Sequence, residues 1–395
     1  MATTKKSTPP RLVTPGDVVA AFSEHLGEWT AAQITDLDPD GEMAGVLELD
    51  WSGPEPTSVA DLGEVTPVVS TRGAFAGRLE HCKYDWVLPR SYKVIGTLPL
   101  LCDEPSSTYA YGWGDLGLGL VIERRRRQGE ESSWSDPWAK NPTAEELAKE
   151  LAEESDTAPE PDEHTRRLRV GGVASLDCER LVARYPNLTG LTLFGLGNLV
   201  SASSLNKLSS LRTLFLVDMF GMTEADCLRP EHVPALESLE LSSVPAEYAA
   251  ATKALWSPEA PKGVSLRFTK PRKPSWVTEN LNNPLRDWDG REEISAAIYK
   301  KSVAQFKKTR RAVLAALASG DPQDVVTAQL EELGEEFGEV FNELDKRAEF
   351  IMTIEREELY DALDAIITEA EEASGADLEW AGDSLTEGCD SARDW

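Results

Sequence analysis

The sequence predicts a multidomain α/β chain with three parts in order. A small β-barrel-like domain comes first, then a short solenoid of parallel strands, then an antiparallel helical bundle. Three observations carry this reading. Leucine trios recur at Leu188, Leu191 and Leu193, at Leu211, Leu214 and Leu216, and at Leu236, Leu239 and Leu241, a period of about 23 and then 25 residues. Short alternating segments with turn residues between them fill the region before. Long stretches with apolar residues at helical spacing fill the region after.

The first 14 residues are polar and proline-bearing and read as a disordered tail. Residues 15–123 read as the β-rich domain. Strands are expected at 16–22, 28–34, 43–51, 65–70, 92–95 and 118–123, with Pro39-Asp40-Gly41 as a turn. Asp36, Asp38, Asp40 and Gly41 match the first half of a calcium loop. Its twelfth position is Leu47 where a bidentate Glu is needed, so an acidic β-turn is the reading. Gly16-Asp17-Val18-Val19, the W-x-A-A-x-I strand from Trp29 to Ile34, and Ile95-Gly96-Thr97-Leu98-Pro99-Leu100 resemble a bacterial immunity-protein domain of contact-dependent and polymorphic toxin systems. The resemblance covers about a quarter of the chain and implies a non-catalytic domain that binds and blocks a partner protein.

Residues 124–163 read as a linker. Arg124 to Arg127 look like a solvated strand end, and Thr143 with Glu146 like the capping box of one short helix. Residues 164–275 hold the repeats. In L-x-x-L-x-L the last two leucines bracket an outward residue, so each trio ends in a half-buried strand. Helical returns are expected at 178–185, 201–208 and 246–256. Leu168 with Val170, and Leu266 with Phe268, are weaker flanking copies. The pattern resembles the leucine-rich-repeat family. It departs from it at Leu196, Met219 and Val244, where the family usually has Asn or Cys bonding the turn backbone, so the turn must be satisfied another way.

Residues 276–375 read as a cap and helical bundle. Trp276, Leu281, Leu285 and Trp288 are expected to plug the open end of the coil. One helix spans 292–318, a second carries the heptad seam Val326, Leu330, Leu333, Phe337, Val340 and Leu344, and a third follows Thr353. Residues 376–395 read as an acidic tail. The basic face of the first helix (Lys300, Lys301, Lys307, Lys308, Arg310, Arg311) is expected to meet acidic faces of its neighbours.

The net charge of −29 argues against direct duplex nucleic acid, which needs clustered Lys and Arg, and suits a basic partner. No apolar run is long enough to span a membrane. With no apolar leader and five scattered cysteines, a cytoplasmic location follows. His25, His81, His164 and His232 show no metal-ligand spacing, and Gly112-Trp113-Gly114 opens no phosphate loop. Neither an enzyme nor a cofactor or metal is expected. The expected function is non-enzymatic protein binding, of immunity or defence type, by the concave face of the repeats. The candidate residues are Arg169, Thr192, Phe194, Phe215, Val217, Asp218, Glu240 and Arg267. That face is either open to a protein partner, such as a toxin or other basic protein, or covered within the chain. The alternative function is an acidic decoy that mimics nucleic acid to block a basic partner such as a nuclease.

Overall fold

The computed structural model describes residues 13–38, 40, 42–71, 75–107, 110–129, 136–152, 160–346 and 348–395. Residues 1–12 of the expected tail over 1–14, Pro39 and Gly41 of the acidic turn, and residues 130–135 and 153–159 of the expected linker lie outside them. The chain forms two compact units, Met1–Lys273 and Pro274–Trp395. No helix among the described residues is long and apolar enough to cross a membrane.

The first unit opens with a six-stranded mixed sheet. Its strands are β1 (Asp17–Ser23), β2 (Glu28–Asp38), β3 (Met43–Gly53), β4 (His81–Asp85), β5 (Lys93–Thr97) and β6 (Ala110–Tyr111). They lie in the order β5-β1-β2-β3-β4-β6. No ladder among the described residues joins β5 to β6 into the barrel that the turn spacing suggests. Both faces are buried, and alternation assigns the residues. Val19, Ala21, Ala32 and Ile34 pack to one side, and Val18, Ala20 and Ala31 to the other. The expected strand at 65–70 is reduced to isolated bridges at Pro67 and Val69.

The expected strand at 118–123 is instead the first turns of helix α1 (Leu118–Arg127). Gly117, in the left-handed region at φ 89°, turns the chain there. The buried Glu48 carboxyl on β3 accepts the Leu120 N–H at the helix start. The arginine run is thus the last turn of a helix, where cations meet the carbonyl end of the dipole. Arg124 donates to Ser52, Arg126 to Thr71, and Arg127 pairs with Asp50.

Residues 136–152 of the expected linker pack on a second sheet. β7 (Ala139–Lys140) pairs in parallel with β8 (Arg167–Asp177). Helix α2 (Ala144–Ala152) buries Leu147 and Leu151 in the core of the second sheet, and its Thr143–Glu146 cap forms as expected. That sheet continues through β9 (Gly190–Val200), β10 (Thr213–Val217), β11 (Ser238–Ser242) and β12 (Ser265–Thr269), all parallel and in sequence order. Leu168, Leu191, Leu214, Leu239 and Leu266 stand in one row across it. Helices α3 (Cys178–Arg184) and α4 (Ala246–Trp256), and a 3-10 turn at Ala202–Lys207, return the chain where expected and close the leucine core.

The turn after each strand is satisfied by backbone. Asp218, Ser243 and Lys270 occupy the same place in successive repeats, and each has positive φ near 50°. The Asp218 N–H then donates to Ser242 O and the Ser243 N–H to Thr269 O. A second short ladder follows at Asn198–Phe220 and Pro245–Arg272. Met219 and Val244 therefore need no polar side chain and are fully buried.

The second unit is helical: α5 (Pro274–Asn280), α6 (Ala296–Leu317), α7 (Gln323–Asp345), α8 (Thr353–Ser374) and α9 (Glu379–Ala392). Leu285 and Trp288, expected to plug the repeat coil, are fully buried in this unit's own core. Trp288 Nε1 and Arg291 both donate to Glu358, and Arg291 also to Glu355, which ties the segment to α8. Lys308 pairs with Glu336 and Arg310 with Glu369, so part of the basic face of α6 meets acidic neighbours.

The expected acidic tail is corrected: most of it is α9, whose Ala381, Leu385 and Cys389 are fully buried. α9 lies against α7 through glycines. A Cβ on Gly334 would stand 2.1 Å from Leu385 O, and one on Gly388 would stand 2.0 Å from Glu331 O. Gly388→Ala is expected to cost at least about 2 kcal/mol of stability by forcing the helices apart. Thermal melts of wild type and variant check this; an unchanged midpoint would contradict the close approach.

Candidate recognition face and cleft

Because the leucines of β8–β12 point inward, the residues between them point out, in columns fixed by register. The first column is Arg167, Gly190, Thr213, Ser238 and Ser265. The second is the expected one: Arg169, Thr192, Phe215, Glu240 and Arg267. Phe194, Val217, Ser242 and Thr269 follow in the third.

Arg167 and Ser265 of the first column, with residues just before it in each repeat, meet the N-terminal part of the same unit, and the contacts are polar. The Arg90 N–H donates to Gly263 O at 3.1 Å, and its guanidinium to Pro234 O at 2.9 Å and Glu259 at 3.3 Å. The Ser91 N–H donates to Glu237 Oε1 at 2.9 Å, while Arg212 spans Glu237 and the Ser91 hydroxyl. Ser265 donates to Asp85 at 2.7 Å. At the other end Arg167 reaches Asp136, Glu24 and His25. Gly263 is required here: at φ 92° its Cβ would lie 2.7 Å from Arg90 N.

A cleft of about 410 Å³ remains between the two sheets, beside these contacts. Its walls include Phe22, Tyr111, Trp113 and Phe215. Phe22 and Tyr111 are 49% and 40% exposed, high for large aromatics. Trp113 is held by its indole N–H on Asp85 O at 2.7 Å and packs against Tyr84 and Tyr92. Burial raises the Asp115 carboxyl above its ordinary range, and burial with nearby Arg167 lowers the His25 imidazole.

The expected residues therefore divide. Phe215, Glu240 and Arg267 line the cleft. Arg169 and Phe194 stay exposed on the sheet, with the Arg169 guanidinium 5.3 Å from the centre of the Phe194 ring. Gly171 leaves room for that ring. Thr192 and Val217 are half-buried, and Asp218 serves the turn through its backbone. The N-terminal partners Phe22, Arg90, Ser91 and Trp113 were not foreseeable from the repeats. Only Gly112-Trp113-Gly114, a glycine-rich bracket around an aromatic residue, marked its place in the sequence.

Groups with catalytic side chains are dispersed. No group of three His, Cys, Asp or Glu residues that would hold a metal occurs among the described residues. His81 Nε2 lies 2.7 Å from the Thr35 hydroxyl, and burial pushes the Cys178 and Cys389 thiols up to about 12. Behind the cleft, burial and the nearby Glu80 push Glu48 up to about 8, against backbone N–H groups that favour its charged form.

Glu48 carries a pH prediction. The folded chain holds this proton to about pH 8, while the unfolded chain releases it near 4.5. Between these values the folded state binds more protons, so its stability falls as pH rises, by up to about 5 kcal/mol. Glu48→Gln removes the titration, so its melting advantage over wild type should grow from pH 5 to pH 9. A difference independent of pH would contradict the buried neutral acid. No protein-family model, curated protein or solved structure matches this chain.

Proposed function

We propose that this chain is a non-enzymatic protein-binding protein of the leucine-rich-repeat type, acting in the cytoplasm as an immunity or defence component. In this reading the parallel sheet is a short solenoid, and the N-terminal sheet is an immunity-type domain docked on its concave side. The observation that carries it is the open strip beyond the docked sheet. There Phe194, 36% exposed, lies under the Arg169 guanidinium. An ordered aromatic with an arginine over it is the composition of an interface anchor.

A second reading, the acidic decoy for a basic partner such as a nuclease, is favoured by one feature of the helical unit. Asp364, Glu371, Asp383, Glu387 and Asp390 line a groove of about 760 Å³ on α8 and α9. Such a contact weakens steeply with salt, whereas an aromatic-anchored strip tolerates it.

The full chain used as bait in extract of its native cell is expected to capture a protein that survives about 0.5 M salt. Phe194→Ala should lose that protein at least tenfold with an unchanged melting midpoint. Capture that ignores Phe194 and disappears at high salt would replace this reading with the decoy.

A further inference from the structure

The cleft between the two sheets is lined by more acids than bases, Glu24, Asp85, Asp115, Glu237 and Glu240 against Arg167, Arg212 and Arg267. Arg212 is held by Glu237, and Arg167 by Asp136 and Glu24. Asp85 accepts from Ser265 and from the Val87 N–H. Glu240 is different. It stands half-buried in the cleft, next in register to Phe215 on one side and Arg267 on the other, and forms no ion pair among the described residues. Asp115 is the other carboxylate, with one oxygen accepting the Gly112 N–H at 3.3 Å.

A second observation is independent of the acids. The Ser23 side chain is 5% exposed and lines the cleft, yet its hydroxyl has no hydrogen-bond partner. A buried hydroxyl without a partner is costly unless a ligand completes it. Aromatic residues add a third element: Phe22, Tyr111, Trp113 and Phe215 line the same space. Rings, unpaired carboxylates and a spare acceptor hydroxyl together suit an organic cation. The volume lies within the range of small-ligand sites.

We propose that this cleft binds the guanidinium of an arginine carried on a segment of the partner protein, with Glu240 as its counter-ion, the aromatic walls stacking on its plane and the Ser23 hydroxyl accepting one N–H. Arginine fits better than lysine because its flat, weakly hydrated group stacks on rings and donates in several directions. The net charge of −29 draws such a segment in. This rests on the protein-binding reading above only in taking the cation's carrier to be a protein.

The test titrates the full chain with N-acetyl-arginine N-methylamide, by calorimetry or NMR. The expected dissociation constant is below about 1 mM. Capped citrulline, which has the same shape without charge, should bind at least tenfold more weakly. Glu240→Gln should lose tenfold, and Phe22→Ala at least threefold, with melting unchanged in the exposed Phe22 variant. No binding at 10 mM capped arginine, equal binding of citrulline, or full affinity in Glu240→Gln would overturn the proposal. Spermidine binding tighter than capped arginine would overturn the protein carrier in favour of a free polyamine. Loss of the cleft ligand with partner capture intact removes this inference alone. Capture that ignores Phe194 while capped arginine still binds removes the open strip alone.

Discussion

The parallel register of β8 to β12 is the constraint on which the first unit depends. Leu191 faces Leu214, Leu214 faces Leu239, and Leu239 faces Leu266, with no slip from β9 to β12, while the β8–β9 ladder shifts register after Val170. A one-residue shift would turn each leucine outward and each polar residue into the core. The left-handed residues Asp218, Ser243 and Lys270 end β10, β11 and β12 at the same place, while β8 and β9 run on to Asp177 and Val200. No single repeat buries its leucines alone, so the stack is stable only as a whole.

The same register decides what the outer face can do. It aligns Arg212 and Glu237 at equivalent places in neighbouring repeats, where they meet each other and Ser91. It puts Gly263 under Arg90, where no side chain fits. The docked sheet then meets this face along its edge, frames the cleft over the first column and part of the second, and leaves Arg169 and Phe194 beyond it. One face thus provides intramolecular docking, an open cleft and a free strip beside it.

Much of this organisation was legible in the sequence because short-range period carries it. The leucine trios located β9, β10 and β11, and the returns at 178–185 and 246–256 lie within a residue of α3 and α4. Where tertiary contacts decide, the sequence was silent. Leu118 to Ile122 is a short apolar run that suits strand or helix, and the distant Glu48 at its start settles the matter. The apolar face of α9 is sparse, and glycines on α7 and α9 supply the fit that leucines would supply elsewhere. The cleft needs residues from both sheets, so no local pattern announces it. Of the expected site, the second column stands in one register row, as alternation implies, but its division between cleft and open strip came from the docked sheet.

The account stands on the N-terminal sheet sitting against the outer face of the parallel strands. The most direct measurement places a photo-crosslinking benzoylphenylalanine at exposed position 91 of the full chain, and maps the adducts by mass spectrometry. The structure predicts adducts with the segments around Pro234 to Glu237 and Glu259 to Gly263. Adducts confined to residues before 124 would mean that the two sheets do not meet, and that the cleft does not exist.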